Sequence, residues 1–160
     1  MVFERLAILI AVFFSNTIIL SALTGWFLSQ FIKGIIALLN SHTRSLKQVL
    51  EAMFWRTGGM PSSHTAVVAS MTAAVAIEEG LGSNLFAVSL FMAMLVIRDA
   101  LGVRRSSGQQ AKALNLLGRQ TAEKQGVDFE PVKEVRGHQP LEVIVGALLG
   151  IFIAAAYAWL

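Results

Sequence analysis

The chain has 160 residues, of which 55% are hydrophobic and 14% are charged, whereas soluble domains carry about 25% charged residues. This composition, with a mean hydropathy of +0.64, excludes an ordinary soluble globule and predicts a single integral membrane domain over residues 1–160. The sequence has no cysteine, which excludes disulfides and thiolate metal sites, and its net charge of +3 is typical of loops facing anionic lipid rather than of a nucleic-acid-binding protein.

The first predicted membrane helix runs from about Leu6 to Ile32 and contains no charged residue, which satisfies the length of about 20 apolar residues that a bilayer requires. A signal peptide is the competing interpretation, because Arg5 precedes the apolar stretch. We prefer a retained helix, since the stretch is too long and no small-x-small cleavage site ends it. The apolar region continues to Leu39, which predicts a tilt, or a break near Gly25 or Gly34.

The next segment, Ser41 to Trp55, is amphipathic, with apolar residues recurring at helical spacing opposite polar ones. It predicts a short helix at the membrane interface, ended by Gly58-Gly59. Further spans are predicted over about 64–77, 85–101 and 140–160. The predicted fold is therefore an all-α integral membrane protein, a bundle of about four transmembrane helices plus a short amphipathic interfacial helix.

A polar insertion of about 103–137 separates the last two spans, with a predicted helix at 109–117 and a predicted loop at 126–131. Counting spans places this insertion on the same side of the bilayer as Lys33 and the start of the second span at His64. That side carries nearly all the lysine and arginine residues, so the positive-inside rule makes it cytoplasmic. We therefore expect the residues gathered on this side to face the cytoplasm.

The stretch GGMPSSHTA, residues 58–66, predicts a helix start with Ser62 or Ser63 as its cap. The N–H groups and partial positive charge of a helix N-terminus suit phosphate, and the preceding glycines let the backbone approach a ligand closely. His64 in the first turn can donate a proton to a leaving oxygen. Taken alone, these residues fit a plain helix cap with an interfacial histidine equally well.

A second cluster is the pair His138 and Glu142, which stand at positions i and i+4 at the start of the last span and so share a helix face. A carboxylate there can orient the imidazole and support its positive charge, and a neutral imidazole so held can attack phosphorus. The opposing interpretation is a surface histidine with a snorkelling glutamate. We favour the functional one, because ionisable residues inside an apolar span are costly.

Basic residues at the same membrane face are candidates for phosphate binding, since arginine forks onto phosphate oxygens. Arg104-Arg105 follow the third span, and Asp99 near its end is placed to support these arginines or a histidine. An ordinary positively charged flank is the competing interpretation. Lys33 also lies at this face, with Arg44 and Arg56 as rival donors. No cluster has metal-ligand spacing, so neither a metal nor a cofactor is expected.

These motifs resemble the type 2 phosphatidic acid phosphatase superfamily, which also includes bacterial acid phosphatases and vanadium haloperoxidases. That superfamily has a lysine with arginine-proline seven residues on, then Pro-Ser-Gly-His, then Ser-Arg followed by a histidine and an aspartate. The resemblance is closer to a divergent branch of small bacterial and plant membrane proteins. The stretches GGMPSSH, DA-x-GVRR and GH-x-P-x-EV mark that branch, and all three occur here in order, over most of the chain.

The resemblance implies roles for individual residues. It makes His138 the nucleophile and His64 the general acid that protonates the leaving alcohol. Ser62 and Ser63 contribute backbone to phosphate binding, with Ser63 where the superfamily has glycine. Glu142 stands where the superfamily has aspartate.

The remaining phosphate ligands match the superfamily less closely. Its third-motif arginine is supplied by Arg104 or Arg105, with residues 106–136 inserted before the histidine. Lys33 matches the first-motif lysine, but the residue seven positions on is Asn40 rather than arginine.

The resemblance thus implies a metal-independent lipid-phosphate phosphatase acting through a phosphohistidine. Its substrate would be a phosphomonoester such as phosphatidylglycerophosphate or phosphatidic acid, or an isoprenoid pyrophosphate. The alternative is a non-catalytic membrane protein that retains the pocket for anionic lipid binding or scaffolding, which the first-motif departure favours. A vanadate-dependent peroxidase does not suit so small and hydrophobic a chain. The expected partners are the bilayer, the lipid phosphate and a second copy that completes the pocket, but no nucleic acid.

Overall fold

The computed structural model describes residues 2–39, 59–134, 137 and 139–159. All regular secondary structure in these ranges is helical, which confirms the all-α prediction. The helices are α1 Val2–Ser15, α2 Thr17–Leu39, α3 Ser63–Glu78, α4 Asn84–Leu101, α5 Val103–Gln125 and α6 Pro140–Ala158. The amphipathic helix predicted over 41–55 lies outside the described residues.

The first apolar stretch forms two helices rather than the single one predicted. The break falls at Asn16, whose Oδ1 accepts the N–H of Ile19 at 3.0 Å and so caps α2. Gly25 and Gly34 do not break the helix, and both are buried within α2. A Cβ atom on Gly25 would lie 2.8 Å from Ser70 Oγ, so this glycine lets α2 pack closely against α3.

Among the described residues, three helical segments are long and apolar enough to cross a membrane. They are α2, the joined α4 and α5 over Asn84–Gln125, and α6. The predicted second span corresponds to α3, which has 16 residues, or about 24 Å of helix. It is therefore shorter than the three long segments, and it packs centrally against α2, α4 and α6.

Small residues bring α3 and α6 into backbone contact. Gly146 and Gly150 are spaced as in a G-x-x-x-G motif, which permits close helix approach in membranes. A Cβ atom on Gly146 would lie 2.5 Å from the carbonyl oxygen of Ser62, and one on Gly150 would lie 2.5 Å from that of Ala66. These contacts fix the start of α6 beside the start of α3.

The polar insertion is more helical than predicted, because α5 covers Val103–Gln125 rather than only 109–117. Strong helix formers fill much of this segment. The helix ends at Gly126, whose φ of +66° favours glycine, and an irregular segment follows as predicted. Residues 127–134 run back along α5, with the Phe129 ring against Gly118.

Candidate functional site

The start of α3 is a capped helix N-terminus buried inside the bundle. Ser62 Oγ accepts the N–H of Thr65 at 3.4 Å and the hydroxyl of Thr65 at 3.0 Å. Ser62 and Thr65 are both fully buried, and Ser63 is 6% exposed. The predicted helix cap is confirmed, with Ser62 as the N-cap residue.

Lys33 brings a cation to this helix start from the last turns of α2. Its Nζ donates to Ser63 Oγ at 3.2 Å, and the side chain is only 8% exposed. Ionisable side chains within membrane helices are costly and usually functional. The two residues stand 30 positions apart in the sequence, and the fold brings them into direct contact.

Glu142 ties the start of α6 to the loop before α3. Its Oε1 accepts the N–H of Gly59 at 3.2 Å, and its Oε2 accepts the N–H of Gln139 at 3.2 Å. Its backbone carbonyl accepts the N–H of Ser62 at 2.9 Å. Glu142 is therefore a structural link between two of the sequence motifs, because it holds both at one point of the bundle.

Gly59 takes part in this link through a conformation that favours glycine. Its φ is +94°, a left-handed value that other residues adopt only with strain. In this conformation its N–H meets the Glu142 carboxylate. Gly59 of the GGMPSSH stretch thus has a defined backbone role, which is to donate its N–H to Glu142.

The two candidate histidines differ in what the structure describes. His64 is the second residue of α3 and is exposed at the helix start. His138 lies outside the described residues, so its role as nucleophile, and that of Glu142 as its orienting carboxylate, stay predictions. The residues on either side of it are described. Gln139 bonds to Glu142, and a Cβ atom on Gly137 would lie 2.4 Å from Arg105 Cα.

The predicted arginines and Asp99 lie where α4 passes into α5. Asp99 is half-buried in the last turn of α4, and Arg105 is exposed in the first turn of α5. Arg104 occupies the same turn of α5, and its side chain is outside the described part of the structure. The packing of Gly137 on Arg105 joins this end of α5 to the segment that leads into α6.

Sequence reasoning did not identify the roles of two residues that build the site. Gln139 donates its backbone N–H group to Glu142, and Gly146 allows the contact between α6 and Ser62. Two signals could have found them. Gln139 and Glu142 stand three apart at a helix start, as in a capping box, and Gly146 begins a G-x-x-x-G motif.

Within the described ranges, no group of three histidine, cysteine, aspartate or glutamate residues is arranged to hold a metal ion. What the site does present is a buried ammonium group beside a helix N-terminus. The N–H groups, the helix dipole and a cation at such a position all favour negative charge.

Fold and site together define an all-α membrane protein. Its GGMPSSH, DA-x-GVRR and GH-x-P-x-EV stretches are gathered at one end of the bundle. The chain belongs to the divergent PAP2 family, whose model matches residues 14–153, and the resemblance drawn from the motifs is thereby confirmed. The chain is also 37% identical over 156 residues to the uncharacterized membrane protein YuiD of Bacillus subtilis (strain 168), covering 91% of this chain and 96% of that protein. No solved structure matches it.

Proposed function

We propose that this protein is a metal-independent lipid-phosphate phosphatase that acts on the cytoplasmic face of a bacterial inner membrane. The observation that carries the proposal is the buried Lys33 ammonium bonded to Ser63 at the start of α3. Family membership supports phosphatase-related chemistry. The resulting site suits a phosphate group attached to a lipid, since it lies at the end of a membrane bundle.

Phosphate binding follows from the donors at this point. An ammonium group has three N–H donors, and Ser63 Oγ accepts one from Lys33. Phosphate oxygens would accept others, together with the backbone at the start of α3 and the guanidinium of Arg104 or Arg105. Donors aimed at the transferring group stabilise the charge that develops there in the transition state.

In the proposed reaction His138 attacks phosphorus with its neutral nitrogen, forming a phosphorus–nitrogen bond. The bond from phosphorus to the lipid oxygen breaks, and His64 protonates that oxygen as it leaves as an alcohol. Water then attacks the phosphohistidine, releasing inorganic phosphate and restoring the imidazole. Glu142 supports the charge on His138, and Asp99 supports the arginines.

The substrate class is an inner-leaflet phosphomonoester, such as phosphatidylglycerophosphate or phosphatidic acid, or an isoprenoid pyrophosphate. A cytoplasmic-facing site favours the first two, because undecaprenyl pyrophosphate would be expected at the outer face. We propose the bilayer and the lipid phosphate as partners, and a second copy of the chain to complete the pocket. The polar insertion over 103–137 belongs to this single membrane domain in the proposal.

The test is phosphate release by purified protein in lipid nanodiscs containing a chelator, measured on a panel of these lipids. We expect release by the wild type and loss of release in His138→Ala and His64→Ala. His42→Ala is the matched control, since this histidine lies outside the three motifs, and it should retain activity. Release that persists without His138, or that requires added metal, contradicts the mechanism.

A second candidate function is anionic-lipid binding without catalysis. Two observations favour it. Both carboxylate oxygens of Glu142 accept backbone N–H groups, and the residue seven positions after Lys33 is Asn40 rather than arginine. This candidate predicts saturable binding of phosphatidic acid that Lys33→Met weakens, with no phosphate release from any lipid on the panel.

A further inference from the structure

Asn115 is buried although it lies in α5, the polar helix that extends beyond α4. It is 4% exposed, whereas its neighbours Leu114 and Leu116 are 53% and 60% exposed. Among the helices that the structure describes, α5 packs only against α4, which precedes it. The cover over Asn115 therefore comes from the irregular segment 127–134 that returns along α5.

Both ends of the Asn115 amide bind this returning segment. Nδ2 donates to the carbonyl of Val132 at 2.9 Å and to Oε1 of Glu134 at 3.0 Å, while Oδ1 accepts the N–H of Val132 at 2.9 Å. The side chain thus pairs with Val132 as a neighbouring strand would. Because donor and acceptor must both match, this pairing permits one register of the segment on the helix.

Two glycines complete the fit on either side of Asn115, Gly118 on α5 and Gly137 on the chain that returns along it. A Cβ atom on Gly118 would lie 2.2 Å from the Phe129 ring, and one on Gly137 would lie 2.4 Å from Arg105 Cα. The returning chain therefore runs antiparallel to α5. Phe129 contacts Gly118 in the second half of the helix, and Gly137 contacts Arg105 in its first turn. We call the bonds of Asn115 with Val132 and Glu134 the clasp.

We propose that Asn115 is a positioning residue. Through the clasp it fixes the segment that precedes His138 against the start of α5, beside the Arg104-Arg105 pair. Few residues separate Glu134, at the clasp, from Gln139, which bonds to Glu142. The clasp thus anchors the chain before His138 at Glu134, and Glu142 anchors it after His138 at Gln139.

The catalytic consequence of this inference rests on the proposed function, whereas its structural consequence does not. A misplacement of about 1 Å remote from the chemistry can lower a rate by about 100-fold. Loss of the clasp should therefore lower kcat for phosphate release while leaving KM nearly unchanged, because none of the proposed phosphate ligands takes part in the clasp: Lys33 and Ser63 lie on other helices, and Arg104 and Arg105 lie in the first turn of α5, away from Asn115.

The kinetic test compares Asn115→Ala with Gln120→Ala, which removes an exposed amide from the same helix. We expect kcat to fall by about 10-fold to 100-fold in Asn115→Ala and to stay unchanged in the control. Gly118→Ala is a second variant, since its new methyl group displaces the Phe129 ring, and it should act in the same direction. An unchanged kcat in both folded variants overturns the positioning role.

A distance measurement tests the clasp without any assay. The chain has no cysteine, so spin labels can be placed specifically at Ser107→Cys and Lys133→Cys, both exposed positions. Double electron–electron resonance should give a narrow distribution of distances between the two labels. This distribution should broaden in Asn115→Ala and not in Gln120→Ala. An unchanged distribution overturns the clasp.

The two tests together separate the inference from the proposed function. If the wild type releases no phosphate, the proposed function fails, and the distances alone decide the clasp. If the distribution broadens while kcat is unchanged, the clasp exists but Asn115 does not position the reaction. If both change, the inference is supported.

Discussion

Two regions of the molecule are built differently. The first, around Lys33, Ser63 and Glu142, consists of helices in backbone contact. The second, where Gly137 packs on Arg105, depends on an irregular segment that one amide side chain binds. In the first region, the glycines of α2 and α6 admit close approach and the bond between Lys33 and Ser63 is buried. In the second, α4 is the one described helix against which α5 packs. Substitutions in the first region should change helix packing, phosphate binding or both, and those in the second should change the reaction with little change in stability.

The largest expected effect on activity is that of Lys33→Met. Removing one donor to a transition-state oxyanion typically lowers kcat by about 100-fold to 1,000-fold, and a similar loss of phosphate release is expected here. Stability should not fall, because replacing a buried cation with an apolar side chain removes its desolvation cost. Phosphate release and thermal unfolding measure the two effects.

Lys112→Met is the control for Lys33→Met, since Lys112 is an exposed lysine on α5. It should retain wild-type phosphate release. Equal losses in the two variants would mean that general positive charge, and not the Lys33–Ser63 contact, supports activity.

Gly146→Ala should be the most destabilising of these substitutions. Its methyl group would lie 2.5 Å from the carbonyl of Ser62, so α6 must shift away from α3, and overpacking of this kind costs about 1–3 kcal/mol. Intrinsic fluorescence during denaturation in detergent measures the change. Gly82→Ala is the control, because nothing lies within 4 Å of a Cβ atom there; equal unfolding of the two variants would contradict the close contact.

Glu142→Gln should have an intermediate effect. One carboxylate oxygen becomes an amide NH2 group that cannot accept a hydrogen bond, so either Gly59 or Gln139 loses its acceptor. The expected cost is about 1–2 kcal/mol, together with weaker hydrogen-exchange protection of the Gly59 or the Gln139 amide. Glu130→Gln, at an exposed position, should change neither the stability nor this protection; normal protection of both amides in Glu142→Gln would contradict the assigned link.

The smallest effect is expected for Tyr157→Phe, near the opposite end of α6. It removes the 2.9 Å hydrogen bond between Tyr157 and Thr24, and such bonds between membrane helices contribute about 0.6 kcal/mol. Phosphate release should be unchanged, because the bond lies far along α6 from Glu142. A large loss of activity in this variant would show that the two ends of the bundle are coupled.

Much of the architecture follows from hydropathy and from local helix signals. The spans at 85–101 and 140–160 coincide with α4 and α6, and the cap at Ser62 is present as predicted. Span counting also predicted that Lys33 and the start of α3 lie on the same side of the bilayer, and in the structure the two are joined by a hydrogen bond. These features depend on local composition and chain order, which the sequence carries directly.

Features that depend on contacts between distant residues were not predictable in this way. The sequence predicted a tilt, or a break near Gly25 or Gly34. The break instead falls at Asn16, which caps α2, and Gly25 lets α2 pack closely against Ser70. The return of 127–134 along α5 depends on Asn115, which looks like any polar residue in a polar helix. Such pairings have no local signal in one sequence.

The most direct test of the central claim is to trap the covalent intermediate. Purified protein in nanodiscs would be mixed briefly with phosphatidic acid radiolabelled in its phosphate and then quenched with alkali, in which phosphohistidine survives. The proposed mechanism predicts acid-labile label on the wild-type chain and on His42→Ala, and none on His138→Ala. Phosphate release without labelled protein, or label that persists in His138→Ala, would contradict it.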